Sequence, residues 1–336
     1  MGIWEMDGPQ GDVAVTSRVR IARNYADYAF PAALDQARKE QIAAQTGELL
    51  SGRQGFTWLR LGELDELQLR QLGENYLASP ALIQNAKVAA LALNEERTTG
   101  VMVNEEDHLR IQSLAAGLDL ERALAQAQQL CSDLEAQKPY AFSARWGYLT
   151  SCPTNIGTGL RASVMMHLPA LTMMGKINTI IEAVGKIGLT VRGSYGEGSA
   201  VSADLYQISN QVTMGLTEKE IAASVQNACM QVMAQERLAR KAMMAARPLE
   251  LQDRLMRAWG AMQNARLMDL KEFMRLYSDV RLAESCGYVQ IHDQQAFRAL
   301  LCDAQPASLQ LRSGRRMSAR DQNIARAELV RKCLGQ

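Results

Sequence analysis

Two arginines stand two residues apart near the start of the chain, in the run Thr16-Ser17-Arg18-Val19-Arg20. Side chains alternate in direction along a β-strand, so this spacing places Arg18 and Arg20 on the same face. Two neighbouring cations repel each other unless an anion lies between them, which indicates an anion site. The alternative is an exposed edge strand whose basic residues prevent aggregation, and this segment alone does not exclude it.

A dense group of acids follows in the run Asn104-Glu105-Glu106-Asp107-His108. Strand-like apolar runs flank it, Val101-Met102-Val103 before it and Leu109-Arg110-Ile111 after it. Buried strands on both sides favour a cleft position for the acids, where they would hold a substrate or a metal ion. A loop of solvated acids is the alternative.

Two glycine-containing stretches predict a backbone that approaches a ligand closely. In residues 151–161, one proline and two glycines define a fixed loop. Cys152 in this loop is either a reactive thiol or a small packed residue. In residues 192–199, a strand runs into a glycine-rich segment with one acid, which suits a lid over phosphates. The segment lacks the order GxxxxGK[ST] and is therefore not a P-loop.

Together these segments offer a set of arginines, two acids and a glycine-rich lid. The arginines are Arg18, Arg20, Arg110, Arg161 and Arg192, and the acids are Glu106 and Glu197. Planar guanidinium groups bind phosphate oxygens in pairs, so a triphosphate with its Mg²⁺ ion is the ligand that this set suits. We therefore expect ATP and Mg²⁺ at this site, and we predict no set of protein ligands for a metal.

The elements that position these residues are typical of an α+β protein. Strand-like and helical runs alternate up to about Gly215 with few βαβ repeats, which predicts an antiparallel sheet flanked by helices. The strand-like runs are residues 13–15, 89–93, 101–103, 109–111, 161–168 and 189–192, and residues 120–137 are typical of a helix. Thr217 and Glu220 form a capping box that predicts the start of a long helix. Its apolar face carries Ile221, Val225, Cys229 and Val232.

The chain beyond about Arg247 is rich in helical patterns and has little strand signal. We therefore predict two domains, a catalytic domain over residues 1–245 and a helical C-terminal domain over residues 246–336.

Composition excludes several classes of function. The 336-residue chain has a net charge of +1, which provides no overall field to attract nucleic acid or an anionic membrane. The sequence has no uninterrupted apolar run of about 18 residues, so no transmembrane helix is expected. The polar N-terminus predicts no signal peptide. Six scattered cysteines without a CxxC pair argue against a zinc site or disulfides and favour the cytoplasm.

Three of these motifs resemble the phosphagen kinases, the ATP:guanidino phosphotransferases that include arginine and creatine kinases. They are Asn-Glu-Glu-Asp-His at 104–108, Cys-Pro-Thr-Asn-Ile-Gly-Thr-Gly at 152–159 and Arg-Gly-Ser-Tyr-Gly-Glu at 192–197. The chain is most similar to the bacterial protein-arginine kinases, including residues 209–213 and 273–281. The resemblance extends over nearly the whole chain and implies a phosphagen-kinase-like catalytic domain.

The resemblance implies roles for single residues. Glu106 and Glu197 match the carboxylates that bind and deprotonate the substrate guanidinium, and Cys152 matches a thiol near the substrate. Tyr76 stands at the adenine-side position, where related bacterial enzymes have histidine, and its ring can stack on adenine. The implied nucleotide-binding residues are Thr16, Ser17, Arg18, Val19, Arg20, Tyr76, Arg110, Arg161, Ala162, Ser163, Val164, Met165, Arg192, Gly193, Ser194, Tyr195, Gly196 and Glu197.

The implied activity is transfer of the γ-phosphoryl group of ATP to arginine side chains of proteins. Small-molecule members of the family resemble this chain only after an additional N-terminal helical domain. Because the strand with Arg18 begins close to Met1, we expect that domain to be absent and the site to be open to an arginine on a protein. A kinase of a free guanidino metabolite is one alternative. A non-catalytic phosphoarginine-binding protein is another, although it would have no use for both Glu106 and Glu197.

The resemblance also implies partners and a setting. These are a zinc-containing activator protein, a Clp protease system, a homodimer or larger oligomer, and a role in stress response and protein quality control.

One C-terminal motif departs from the family pattern. Protein-arginine kinases carry Arg-Asp-x-x-Arg-Ala there, as a second pocket that binds phosphoarginine and stimulates the enzyme. This chain has Gln322-Asn323-Ile324-Ala325-Arg326-Ala327. Loss of one cation and one anion removes charge-assisted bonds, so we expect a weak or absent response to free phosphoarginine. The alternative is that Arg315, Arg316 or Arg320 supplies the missing cation.

Overall fold

The computed structural model describes residues 3–51, 53, 55–193 and 203–335. The strands are β1 Ala14–Arg23, β2 Phe56–Arg60, β3 Ala90–Asn94, β4 Thr99–Val103, β5 Leu109–Ala116, β6 Phe142–Ser143, β7 Gly147–Tyr148, β8 Leu160–His167, β9 Leu189–Gly193 and β10 Leu205–Asn210. The helices are α1 Gln36–Ser51, α2 Glu66–Glu74, α3 Pro80–Gln84, α4 Leu120–Glu135, α5 Pro169–Met173, α6 Ile177–Lys186, α7 Glu218–Ala246, α8 Pro248–Asn264, α9 Leu270–Ser285, α10 Gln294–Asp303, α11 Pro306–Ser313 and α12 Ala319–Cys333.

One eight-stranded sheet organises the molecule, with strand order β2-β3-β4-β5-β1-β8-β10-β9. Each strand pairs antiparallel with its neighbours. The α+β prediction is therefore confirmed, and the six predicted strand runs correspond to β1, β3, β4, β5, β8 and β9. The strand patterns did not predict β2, which is partly exposed, or the two-residue strands β6 and β7. They also did not predict β10, which is buried throughout and includes the polar residues Gln207 and Asn210.

The long helix α7 begins as its capping box predicts. The Thr217 hydroxyl accepts a hydrogen bond from the Glu220 backbone N–H, and the Glu220 carboxylate accepts one from the Thr217 backbone N–H. These bonds satisfy N–H groups that lack a partner within the first helical turn. The predicted apolar face is confirmed, because Ile221, Val225, Cys229 and Val232 are all buried.

Two hydrophobic cores cover the two faces of the sheet. On one face, β1 residues Val19 and Ile21 pack with residues of α1, α4 and α7. On the other, sheet residues such as Leu114, Met165 and Leu205 share a core with α8, α9 and α10. The boundary that we predicted near residue 245 lies at the junction of α7 and α8. The division into two domains stays a prediction, and the helices that follow this junction bury part of the sheet.

A buried ion pair joins α7 to the end of the sheet. The Glu236 carboxylate is fully buried and accepts hydrogen bonds from the backbone N–H groups of Ala170 and Leu171, at the start of α5. It also accepts one from Arg240 Nε at 2.8 Å. The other guanidinium nitrogens of Arg240 approach the carbonyl oxygens of Asp12 and His167. Every charge in this group therefore has partners.

We predict that the Glu236→Ala substitution destabilises the protein by about 3–5 kcal/mol, because it leaves a buried arginine and two N–H groups without their acceptor. Denaturant unfolding followed by circular dichroism measures this loss. Asp253→Ala is the matched control, since Asp253 forms an exposed pair with Arg257 in the same i,i+4 arrangement. The control should leave the unfolding midpoint unchanged. Similar small shifts for both variants would contradict the prediction.

Candidate active site

An arginine cluster extends from strand β5 across β1 and β8 to the edge strand β9 of the sheet. Arg110 lies on β5, Arg18 and Arg20 on β1, Arg161 on β8 and Arg192 on β9. The strand register places Arg20 directly opposite Arg161 and places Arg192 opposite Gln207 of β10. Because Val19 and Ile21 enter the core, the alternation of β1 directs Arg18 and Arg20 to the opposite face.

The cluster is electrostatically costly without an anion. Burial, together with the positive charges of Arg110 and Arg161, lowers the pKa of Arg18 to about 10. Burial and the neighbouring arginines also lower the pKa of Arg20 well below its usual value. Arg18 Nη2 donates to Gln207 Oε1 at 2.8 Å, which satisfies a donor but adds no negative charge. Phosphate oxygens bound here would relieve the repulsion.

A cavity of about 270 Å³ opens against this cluster. Its lining residues are Arg20, Ala22, Glu106, Arg110, Cys152, Thr154, Asn155, Gly159, Arg161 and Arg192. Four predicted arginines, one predicted acid and the predicted thiol therefore meet around one space. Segments that are far apart in the sequence supply them.

The two glutamates of the acidic loop have different surroundings. Glu106 is 44% exposed, lines the cavity and accepts a hydrogen bond from Arg110 Nη2 at 3.1 Å. Glu105 is buried, and it accepts one from Arg110 Nη1 at 2.8 Å and another from the Ser79 hydroxyl. Glu105 therefore orients Arg110, while the Glu106 side chain is exposed to the cavity. No pattern in the sequence predicts this role of Glu105.

The rest of the acidic loop is structural. Buried Asp107 Oδ1 accepts hydrogen bonds from Asn24 Nδ2 at 2.7 Å and from the Ser151 backbone N–H at 2.6 Å. His108 Nδ1 accepts from the Tyr25 backbone N–H, so its Nε2–H donates to the Ala29 carbonyl. Burial lowers the pKa of His108, which favours this neutral form. Of the acidic motif, Glu106 therefore lines the cavity, and Asp107 connects the acidic loop to the loop that carries Cys152 by a hydrogen bond.

Cys152 differs from the other cysteines in its surroundings. It is half-buried, lines the cavity, and its Sγ lies 3.1 Å from the Thr154 hydroxyl. Burial is the main reason that the pKa is raised for the other five thiols, Cys131, Cys229, Cys286, Cys302 and Cys333.

A second, tight crevice lies beside the arginine cluster. It is lined by Thr16, Arg18, Tyr76, Leu114, Ser163, Met165 and Gln207. Its volume of about 10 Å³ has room for about one water molecule, so a purine could enter only if Tyr76 moved. Tyr76 has a positive φ of 59°, a strained conformation for a bulky residue that is often found at functional sites.

Several predicted nucleotide-binding residues direct their side chains elsewhere. Val19, Ala162 and Val164 belong to the core on the opposite face of the sheet. Ser17 is also buried, and its hydroxyl donates to the Gly117 carbonyl and accepts from the Asp119 N–H. Alternation along β1 and β8 explains this, because a run of five strand residues cannot present every side chain to one ligand. Their backbones lie inside the sheet, where Ser17 and Val19 pair with both β5 and β8.

The predicted lid lies largely outside the described residues. Arg192 and Gly193 end β9. Ser194, Tyr195, Gly196 and Glu197 are not among the residues that the structure describes. The catalytic role of Glu197 and the closing of the lid therefore stay predictions.

Within residues 3–51, 53, 55–193 and 203–335, no group of three or more His, Cys, Asp or Glu side chains is arranged to hold a metal ion. In the same part of the chain, no helix combines the length and apolar character needed to cross a membrane.

Comparisons with known proteins find relatives over nearly the whole chain. Residues 38–239 match the family model of the ATP:guanido phosphotransferase C-terminal catalytic domain, and residues 248–336 match that of the protein-arginine kinase McsB C-terminal domain. A protein-arginine kinase of Geobacillus stearothermophilus is 41% identical over 98% of this chain and 92% of its own length. A protein-arginine kinase of Halothermothrix orenii is 40% identical over 96% of this chain and 93% of its own length.

Solved structures show a similar fold. A lombricine kinase covers 70% of this chain with a TM-score of 0.62 and 24% identity, the match spanning 69% of that kinase. The duplicated taurocyamine kinase of Schistosoma mansoni, with bound transition state analogue components, covers 74% of this chain. Its TM-score is 0.63 at 23% identity, and the match spans 37% of that protein.

We predict that Cys152 is the cysteine that iodoacetamide alkylates first, because among the six cysteines it is the one that lines the cavity. Mass spectrometry of the labelled protein over time identifies the order. ATP together with an arginine-bearing acceptor should slow this labelling, and Cys152→Ser should abolish the fast phase. Cys286→Ser is the control, because Cys286 is also half-buried but does not line the cavity. Equal, slow labelling of all six would show that Cys152 has only a packing role.

Proposed function

The chain belongs to the ATP:guanido phosphotransferase family, among the protein-arginine kinases, and we propose that it transfers the γ-phosphoryl group of ATP to arginine side chains of proteins through Glu106 and its arginine cluster. It is an enzyme of the kinase class, with ATP as phosphoryl donor. The observation that carries the site assignment is the cavity where Glu106 and four arginines meet. The acceptor class rests on relatives that match this chain over nearly all of its length.

The arginines would hold the triphosphate of ATP. Arg20, Arg110, Arg161 and Arg192 all line the cavity and carry donors that suit phosphate oxygens. Because the strands of the sheet support them, they are positioned before the nucleotide binds. Phosphoryl transfer needs in-line positioning and charge stabilisation more than covalent help, and this cluster supplies both.

Glu106 would align the acceptor guanidinium and take its proton. The guanidinium is protonated in solution and is a poor nucleophile until a carboxylate removes a proton. A nitrogen lone pair of the acceptor then forms the N–P bond at the γ-phosphorus. The bond from that phosphorus to the bridging oxygen breaks, and ADP leaves with its electron pair. We propose Glu197 as the second carboxylate at the acceptor.

We propose that Mg²⁺ binds together with ATP. The described residues offer no carboxylate-rich cluster for it, so the phosphate oxygens of ATP are its natural ligands. When bound, the ion offsets negative charge on the triphosphate. The arginines meet the oxygens that the ion leaves uncovered.

Glu106→Gln should lower phosphoarginine formation by about 100-fold or more while ATP affinity stays near that of the wild type, because the amide cannot accept the proton. The assay measures acid-labile phosphate transferred from labelled ATP to an arginine-rich protein, with ATP affinity measured by calorimetry. Free arginine should accept little phosphate in the same assay. Glu96→Gln is the control, as Glu96 lies exposed in the turn between β3 and β4.

Two results would contradict this assignment. Equal transfer to free arginine and to protein would favour the kinase of a free guanidino metabolite. Near-normal transfer by the Glu106→Gln enzyme would move the base to another carboxylate, for which Glu197 is the first choice.

The family suggests a cellular setting that we adopt as part of the proposal. It comprises a cytoplasmic enzyme in stress response and protein quality control, which works with a zinc-containing activator protein and a Clp protease system. It also includes assembly as a homodimer or larger oligomer.

The departure in the C-terminal motif supports a further part of the proposal. Arg326 is only 1% exposed, and it donates to the carbonyl oxygens of Ala304 at 2.8 Å and Met268 at 2.9 Å. It also donates to Asn323 Oδ1 at 3.1 Å, and Gln322 Nε2 donates to the Met317 carbonyl. These side chains are engaged in holding the helices together. A phosphoarginine ligand would have to compete with these bonds.

We therefore predict that free phosphoarginine neither binds saturably to the full-length protein nor stimulates its kinase activity. Calorimetric titration and kinase rates with and without phosphoarginine provide the measurements. Arg326→Ala should lower the unfolding midpoint, since it leaves buried carbonyl groups without a donor. Saturable binding by the wild type that Arg320→Ala abolishes would show that Arg320 supplies the missing cation and would overturn the prediction.

A further inference from the structure

Five exposed apolar side chains lie on two segments beside the loop that carries Cys152. Phe142 and Trp146 belong to the β6–β7 hairpin, and Val212, Met214 and Leu216 belong to the segment between β10 and α7. Each is between 41% and 61% exposed. We call these five residues the apolar rim.

The hairpin is fixed to one side of the loop that carries Cys152. The Tyr148 backbone N–H donates to the Gly157 carbonyl at 2.9 Å, and the Gly157 N–H donates to the Tyr148 carbonyl at 3.2 Å. A side chain on Gly147 would lie within 2.9 Å of Gly157 Cα, so glycine permits this close approach. The Arg23 guanidinium lies over the Tyr148 ring, 3.5 Å from its centroid, and this cation–π contact also holds the hairpin in place.

The second segment is fixed to the same loop. The Thr213 hydroxyl donates to the carbonyl oxygens of Thr154 at 3.0 Å and Ile156 at 2.7 Å. The Thr158 N–H donates to the Thr213 carbonyl at 3.0 Å. A side chain on Gly157 would meet Met214 Cγ at 2.8 Å, which places Met214 directly against the loop.

The rim therefore adjoins the catalytic cavity, since the same loop supplies Cys152, Thr154 and Asn155 to the cavity lining. The cavity itself is polar and cationic, so the triphosphate that it suits does not account for the apolar residues at its edge. A guanidino metabolite would fit within the cavity, whereas an arginine on a protein brings flanking residues to its edge. Aromatic residues, methionine and arginine are the types enriched in protein interfaces.

We propose that the apolar rim binds the polypeptide segment of a protein substrate next to its target arginine, and that it prefers apolar flanking residues. This inference rests on the proposed function and names the acceptor sequences that the same site takes. Trp146 and Met214 would make the main contacts with this segment. The Arg145 guanidinium lies over the Trp146 ring, 4.6 Å from its centroid. A flexible methionine tolerates varied side chains, which suits an enzyme with several protein substrates.

The test uses two short acceptor peptides with one central arginine, one with leucine and phenylalanine flanks and one with serine and glycine flanks. The wild-type enzyme should phosphorylate the apolar peptide with a kcat/KM about tenfold higher, a difference that corresponds to about 1.4 kcal/mol. The Trp146→Ser/Met214→Ser double variant should lose this preference through a higher KM. Its kcat, its KM for ATP and its rate with the polar peptide should stay within about twofold of wild type.

Leu249→Ser is the matched control, because Leu249 is 73% exposed on α8 and lies outside the rim. It should keep the full preference for the apolar peptide. Equal unfolding midpoints for the three proteins establish that none of the substitutions disturbs folding.

The outcomes separate this inference from the proposed function. Phosphorylation of neither peptide, nor of any protein, would refute the proposed function. Transfer without a preference in the wild type, or a preference that survives in the double variant, would refute the rim as a substrate surface and leave the kinase function standing. If analytical ultracentrifugation shows a smaller oligomer for the double variant than for the wild type, the rim is an interface between copies of this chain. That result would also overturn the inference.

Discussion

Repulsion among guanidinium groups is the constraint on which the site depends. The register of an antiparallel sheet holds Arg20 opposite Arg161, an arrangement that destabilises a sheet when the like charges have no compensation. Carboxylates of Glu105 and Glu106 offset part of the charge through Arg110. In the proposed function, the phosphate oxygens of ATP would offset further positive charge, so a nearly neutral protein could bind a triphosphate through this local cluster. A flexible loop could not hold these cations together, whereas packed strands can.

The loops around this cluster are positioned by buried polar contacts. Asp107 receives hydrogen bonds from Asn24 and from the backbone of Ser151, so one carboxylate joins the end of β1, the acidic loop and the loop with Cys152. Thr213 holds the other side of that loop. Functional residues on loops need such anchoring, since a displacement of about 1 Å can cost a large part of the rate. The same contacts present the apolar rim at the edge of the cavity.

The helices after α7 support the site from the opposite end of the sheet. They bury Met165 on β8 and Leu205 on β10. In the sheet, these two strands lie between β1 and β9, which carry arginines of the cluster. The Arg326 guanidinium stabilises this helical region through backbone carbonyl groups of Ala304 and Met268. In this chain Arg326 and its neighbour Asn323 therefore help to hold together the helices that pack against the sheet.

The sequence by itself determined the features that depend on local geometry. Strand alternation predicts that Arg18 and Arg20 share a face, and the capping box predicts the start of α7, because both patterns involve residues within one strand or one helical turn. The family motifs identified the candidate residues of the cavity. The α+β class also followed from the order of strand-like and helical runs. By contrast, β2 and β10 escaped prediction because one is partly exposed and the other buries polar side chains.

Only the tertiary structure decided what each motif residue does. Glu105 and Glu106 are adjacent and chemically alike, yet Ser79 and Arg110 bury one against the sheet while the other reaches the cavity. Asn24 and Asp107 are 83 residues apart, so no local pattern could pair them. The apolar rim likewise needs two segments from different parts of the chain to meet on one loop. Such contacts depend on how distant strands and loops pack, and a linear pattern carries no record of that packing.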